Sequence, residues 1–173
     1  MSVVINGSAG VTVNSGAVLG ITSGTAVAST SGTSIDFTSI PSWVKRITVM
    51  FNGVSLSGTS NPLIQIGAGS VDSSGYVSTS VATIDASATV GSNSTAGFII
   101  RSATASNINS GHMVITNISG NIWISSHTMK QTTTGCMFGA GDKTLSGTLD
   151  RVRITTVNGT DTFDAGSINI LYE

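Results

Sequence analysis

The stretch Ile40-Pro-Ser-Trp-Val-Lys-Arg-Ile-Thr-Val-Met-Phe51 decides the fold class. Proline lacks the N–H that a central sheet ladder needs, so Pro41 marks the start of a strand and not its middle. Beyond it the side chains alternate. Trp43, Ile47, Val49 and Phe51 fall on one face, with Lys45 the polar intruder, and Val44, Arg46, Thr48 and Met50 fall on the other. Burying the first set contributes about 8 kcal/mol before conformational entropy is subtracted. With only two Trp and five Phe in the chain, no other segment concentrates as much apolar surface.

The neighbouring segments follow the same period. Ser34 to Thr38 reads as a strand with Ile35 and Phe37 on one face, and Asn52-Gly53 as the turn after Phe51. Pro62 introduces Leu63 to Ile66, ended by Gly67-Ala-Gly69. Between Ser70 and Asn93, Val77, Val81, Ile84 and Ala88 have helical spacing. The Ser, Thr and Asp between them are poor helix formers, so strand and loop are predicted. Thr95 to Arg101 is a strand and Ser102 to Gly111 a loop. His112 to Ile118 and Asn121 to Met129 form a hairpin about Ser119-Gly120, Ile122 and Ile124 opposing Trp123. Thr132 to Phe138 is another strand, and Gly139 to Asp142 a turn. Leu149 to Val157 alternates before the hairpin signal Asn158-Gly159, and Ser167 to Tyr172 groups Ile168, Ile170 and Tyr172. About nine to eleven short strands at spacings near 8 to 12 residues predict an all-β fold, an antiparallel β-sandwich of jelly-roll-like type over residues 31–173.

Residues 1–30 differ. Val3 to Ile5, Val11 to Val13 and Ala17 to Ile21 are short apolar pieces cut by Asn6-Gly7, Asn14-Ser-Gly16 and Ser23-Gly24. Strands this short make no core and need a partner surface. The segment reads as an extended N-terminal attachment or oligomerisation arm, with Val3, Ile5, Val11, Val13 and Leu19 as its contacts. The alternative is that it adds an edge strand to its own domain.

Composition bounds the function. Only 9% of residues are charged, against roughly 25% in an ordinary globular domain, while Ser and Thr supply 52 positions and Gly 21. An apolar content of 39% and a mean hydropathy of +0.32 argue against disorder. Seven Lys and Arg, a net charge of -1 and a pI near 6.0 leave no track for phosphates, so nucleic acid is not an expected partner. No apolar run reaches the length of a membrane helix, and the first residues lack the pattern of a secretory signal. Cys136 is alone, so folding in a reducing cytoplasm is expected.

The chain also lacks convincing reactive constellations. Gly139-Ala-Gly-Asp-Lys-Thr144 fails as a phosphate loop, because Asp142 stands where glycine is needed before the lysine and no helical pattern follows. No Gly-x-Ser-x-Gly elbow occurs. His112, His127 and Cys136 fall on three separate strands without paired ligand spacing, so no metal or cofactor is expected, and both histidines read as exposed on a sheet surface. Asp142, Asp150, Asp161 and Asp164 are the densest acids. They sit beside turns or near Lys45, Arg46, Arg151 and Arg153, which favours ion pairs across strands over a catalytic pair. The Asn-x-Ser/Thr triplets at Asn6, Asn93, Asn117 and Asn158 are near chance frequency in so Ser- and Thr-rich a chain.

Thr33 to Phe51 (TSIDFTSIPSWVKRITVMF), the following NGVSLSGTSNPLIQIG and the ending LDRVRITTVNGTDTFDAGSINILYE resemble a β-rich module of tailed-bacteriophage virion proteins, most often at the distal end of tail fibres. The resemblance spans roughly Gly32 to Glu173, is strongest at its two ends, and implies a virion structural role without catalytic residues. The expected function is a non-enzymatic tail-fibre or tail-tip component in host attachment, a homotrimer contacting other virion proteins of tail or capsid. Its uncharged loops suit weak binding of host-surface saccharide, multiplied across the trimer. The loops Gly67 to Ser80, Ser102 to Gly111 and His127 to Thr134 supply the candidate contacts Ser70, Tyr76, Asn107, Asn109, His127 and Lys130. The alternative is a capsid decoration protein that cements the head, which the short chain favours because no long fibre shaft precedes it.

Overall fold

The computed structural model describes residues 3–6, 10–13, 16–17, 20–85, 88–133 and 135–173, with side chains from residue 20 onward. Among these residues it contains no helix. In chain order the strands are β1 (Val3–Asn6), β2 (Gly10–Val13), β3 (Gly16–Ala17), β4 (Thr22–Ser23), β5 (Val27–Ala28), β6 (Ile35–Thr38), β7 (Arg46–Leu56), β8 (Pro62–Ala68) and β9 (Ser70–Val71). There follow β10 (Tyr76–Ile84), β11 (Val90–Ser94), β12 (Phe98–Ile99), β13 (Asn109–Ser119), β14 (Ile122–Gln131), β15 (Gly135–Thr144), β16 (Arg151–Thr156) and β17 (Phe163–Tyr172).

Two antiparallel sheets build a β-sandwich. The nine-stranded sheet runs β11-β10-β15-β14-β13-β7-β17-β4, with β5 also on β17; the five-stranded sheet runs β12-β8-β16-β6, with β9 also on β8. The period-2 pattern read from the sequence faces the core between them. Ile47, Val49, Phe51, Met113, Ile115, Ile168 and Ile170 from the larger sheet meet Ile35, Phe37, Ile64, Ile66, Val152 and Ile154 from the smaller.

The 40–51 stretch begins its strand later than expected. Pro41 to Val44 form a turn closed by the Val44 N–H donating to Pro41 O at 3.1 Å. That turn changes the parity, so Val44 is buried while Trp43 is only half-buried against the Tyr172 ring, 5.9 Å between centroids. Asn52-Gly53 is not a turn. It is a bulge inside β7, with Gly53 at φ 66° and the register against both β13 and β17 slipping around it, and Val54 and Leu56 stay buried beyond it. Asn158-Gly159 does turn, but β16 and β17 belong to different sheets, so it crosses the sandwich where a hairpin was expected.

Gly139 to Asp142, expected as a turn, lie inside β15. The reason is room. A Cβ on Gly139 would stand 2.3 Å from Thr79 O and 2.6 Å from His127 Cε1, and one on Gly141 3.0 Å from Phe98 Cδ1. Gly139→Ala is therefore expected to cost about 1 to 3 kcal/mol through overpacking, read as a lower denaturant midpoint at unchanged slope.

The inner face of the larger sheet is divided. Its β7, β13 and β17 part is apolar, whereas β10 and β14 turn Ser78, Ser80, Ser125, His127 and Gln131 inward, and β15 adds Lys143. Trp123 Nε1, Ser125 Oγ, His127 Nδ1 and Gln131 Oε1, all on β14, have no protein hydrogen-bond partner among the described residues.

Within residues 1–30, β1, β2 and β3 form a small antiparallel sheet of their own. β4 and β5 pair with β17, Ser29 is buried, and the Ser29 hydroxyl donates to Ala165 O at 2.8 Å. The edge-strand alternative thus describes residues 22–28, which lie along the body. Leu19 falls outside the described residues, and Val3, Ile5, Val11 and Val13 are described by their backbone alone.

Candidate functional site

The six surface candidates separate. Ser70 and Lys130 are exposed and Asn107 half-buried. Tyr76, Asn109 and His127 are buried and present nothing to a receptor, because each sits at an inward position of its strand. Asn107 and Lys130 are brought to one end of the sandwich. There Thr132 N–H donates to Ile108 O at 2.8 Å, and Lys130 Nζ donates to Thr132 O at 3.3 Å. Ser70 lies at the opposite end of β8 from Asn61, whose Oδ1 accepts from the Ser102 N–H at 2.9 Å.

The three buried residues have structural work. The Tyr76 hydroxyl accepts from the Ile66 N–H at 2.8 Å and lies 3.1 Å from both Ile66 O and Asp72 O, while its ring meets Phe98 edge-on at 5.1 Å. Burial raises its phenol pKa well above the ordinary value. Lys143 Nζ sits 5.1 Å from the same ring centroid, 2.9 Å from Asp72 Oδ2 and 2.9 Å from Ser74 O, clasping the 72–75 loop to β15. Asn109 donates to Val54 O and accepts from the Ser102 hydroxyl.

His127 corrects the expectation of two exposed histidines. His112 is exposed, whereas His127 is 5% exposed, with Nε2 3.0 Å from Ser80 Oγ. Ser80 Oγ also accepts from the Arg101 N–H at 2.9 Å, and His127 Nδ1 has no protein partner among the described residues. Burial pushes the imidazole pKa down to about 4. The signal was present in the sequence. Trp123 fixes the parity of β14, and counting by two from it places Ser125, His127, Met129 and Gln131 inward.

Of the acids singled out in the sequence, Asp150, Asp161 and Asp164 are absorbed into structural contacts, whereas Asp142 makes no ion pair among the described residues. Arg153 grips Asp36 with two hydrogen bonds, 2.7 and 3.0 Å, between directly paired residues of β16 and β6. Asp150 takes two from Arg151, which holds its carboxyl below the usual range. Asp161 accepts from Asn158 Nδ2 at 2.7 Å and from the Ser60 N–H at 2.8 Å, which lowers it likewise. Asp164 bonds the Ser55 hydroxyl, and Arg46 pairs with Glu173. Among the described residues no group of three or more His, Cys, Asp or Glu is placed to hold a metal ion. Because the Asp36–Arg153 pair is solvent-exposed, Arg153→Ala is expected to cost less than about 1 kcal/mol in a thermal melt despite its two-pronged geometry.

A concavity of about 950 Å³ lies elsewhere, on the outer face of β10, β15 and β14. Its geometry follows from register. Thr79, Ala140 and Ser126 form one row across the three strands, and Val77, Asp142 and Ile124 the next. Small Ala140 and Gly141 make the floor, and Val77 at 67% exposure and Ile124 at 41% make the walls. Asn93, Ser94 and Thr95 form a lip at β11, and exposed Phe138 and Ile122 continue the apolar surface along β15 and β14. Asp142 is the one charged residue of the lining and makes no ion pair among the described residues. Large apolar side chains exposed together mark a contact surface.

Comparison of the chain with protein-family models, with curated proteins and with solved structures finds no match in any of the three.

Proposed function

We propose that this chain is a non-enzymatic structural protein of a tailed-phage virion, a β-sandwich head that works at the tail fibre or tail tip in host attachment. The observation that carries the reading is the outer face of the larger sheet, where Val77, Ile122, Ile124 and Phe138 stand exposed on a nearly uncharged wall. A surface of this kind acts by contact with other surfaces. The phage assignment itself rests on the sequence resemblance at the two ends of residues 32–173. The chain changes sheet at each step from β6 through β7 to β8, and again from β15 through β16 to β17, which suits a jelly-roll-like head, while β13, β14 and β15 run as a plain meander. Homotrimeric assembly, weak saccharide binding multiplied across copies, and synthesis in the host cytoplasm belong to the same reading.

The end bearing Asn107 and Lys130 is the proposed receptor side, and Ser70 belongs to the other end. Purified protein is expected to compete with phage for adsorption to host cells, and failure to compete at saturating concentration counts against attachment. The second reading, a capsid decoration protein, is favoured by the separate β1–β3 sheet, which suits a clamp on neighbouring capsomers. Counting copies per purified virion decides: hundreds place the protein on the head, a few to tens on the tail.

A further inference from the structure

A hollow of about 390 Å³ lies on the outer face of the smaller sheet, at the end where the chain leaves β16. Its floor follows from parity and register. Val152, Ile154 and Thr156 point into the core, so Arg153 and Thr155 point out, beside their β8 partners Gln65 and Leu63. Thr33 stands on the β6 side, Ala96 on the β8 side, and the Val157 to Gly159 turn closes the end. That turn is fixed in advance of any ligand. Asn158 Oδ1 accepts from the Thr156 hydroxyl at 2.9 Å and the Thr160 N–H at 3.0 Å, and the Asn158 N–H donates to Ser60 Oγ at 3.0 Å.

The open hydrogen-bonding valences of the floor decide what fits. Arg153 gives Nε and Nη2 to Asp36, while Nη1 makes no hydrogen bond among the described residues. Thr155 Oγ donates to Thr33 O at 2.9 Å and keeps its lone pairs for a ligand. Gln65, 8% exposed, donates from Nε2 to Ala96 O at 2.9 Å, and its Oε1 has no protein partner among the described residues. Donors and acceptors therefore stand side by side. Arg153 is the one charged residue of the lining and Asp36 already neutralises it, so an anion gains little here. Val157, 54% exposed, adds an apolar flank. We infer that the hollow binds a neutral saccharide, whose adjacent hydroxyls accept from Arg153 and donate to Gln65 and Thr155 while a C–H face lies on Val157. No aromatic ring lines it, so each copy binds weakly, with Kd of about 1 to 10 mM, and tight attachment needs several copies at once. The Val157 N–H donates to Asn61 O, and Asn61 Oδ1 accepts from the Ser102 N–H, so the hollow sits at the same end as Asn107. The inference gives the proposed attachment function a saccharide site and rests on that reading.

The test is saturation-transfer NMR and calorimetric titration of the full-length protein with maltose, lactose, trehalose and N,N′-diacetylchitobiose as probes, and inorganic phosphate as the anion arm. At least one disaccharide is expected to bind in the millimolar range, and phosphate is not. Thr155→Val keeps the shape of the floor and removes the hydroxyl, with an expected loss of about 3- to 10-fold. Arg153→Ala removes the guanidinium at little cost to folding, with an expected loss of about 10-fold or more. Binding of none of the four sugars, binding of phosphate in their place, or sugar binding that both variants leave unchanged overturns the inference. Adsorption assays keep the two levels apart. Wild-type protein that binds sugar yet fails to compete with phage for host cells sinks the attachment reading alone, whereas variants that compete as well as wild type sink the saccharide site alone.

Discussion

Lowering the pH from 7 to 4 is expected to remove about 3 kcal/mol of stability through His127 alone. The folded state holds this imidazole neutral, its pKa pushed down to about 4 by burial, whereas in the unfolded chain it titrates near the ordinary 6.5. The unfolded state therefore binds a proton first as the pH falls. The contribution is intact above about pH 6.5, declines by about 1.4 kcal/mol per unit below it, and is exhausted as the pH passes through 4. The carboxylates of Asp150 and Asp161, held low by their partners, lose their contribution only from about pH 4 downward, so the window from 6.5 to 4.5 isolates the histidine. In a chain of this size the loss corresponds to about 6 to 12 °C in Tm. Melts of wild type and His127→Gln across that window check it: the wild-type Tm should fall steeply and the variant's should stay nearly level. Equal slopes for the two would show that His127 is not the titrating group.

Phe98→Ala is expected to cost about 3 to 5 kcal/mol, the largest effect of any single truncation named here. Phe98 is fully buried, meets Tyr76 edge-on, and lies directly beneath Gly141, which has no side chain to collapse into the space left behind. Chemical denaturation measures the effect. A cost below about 1 kcal/mol would mean that the neighbouring side chains close the cavity freely.

The sandwich was legible because period-2 alternation is a local signal. Ile35/Phe37, Ile47/Val49/Phe51, Met113/Ile115 and Val152/Ile154 all face the core as their spacing implied. Turn signals were less dependable, because glycine serves several needs. Gly53 takes a positive φ in a mid-strand bulge, and Gly139 and Gly141 make room for His127 and Phe98, while Ser119-Gly120 turns β13 into β14 as expected and Asn158-Gly159 turns the chain without making a hairpin. The groove could not be read at all. Val77 and Ile124 flank β15 only because β10 pairs with β15 across more than fifty residues, a pairing that no local pattern encodes. The buried histidine was within reach, since the alternation of Trp123 with Ile122 and Ile124 already set which residues of β14 point inward.

The position of the last strands bears on how the chain is made. β17 lies between β7 and β4, and β16 between β8 and β6, so each sheet is completed by residues that pair with strands more than a hundred positions earlier, such as Ile168 with Phe51 and Val152 with Phe37. Neither layer can close while the ribosome still holds that final segment, and loops of such length make closure slow once it is released. Until then β7 and β8 wait with open hydrogen-bonding edges in a crowded cell. Nascent chains should accordingly engage chaperones until residues 151–172 have emerged, and close both sheets only then.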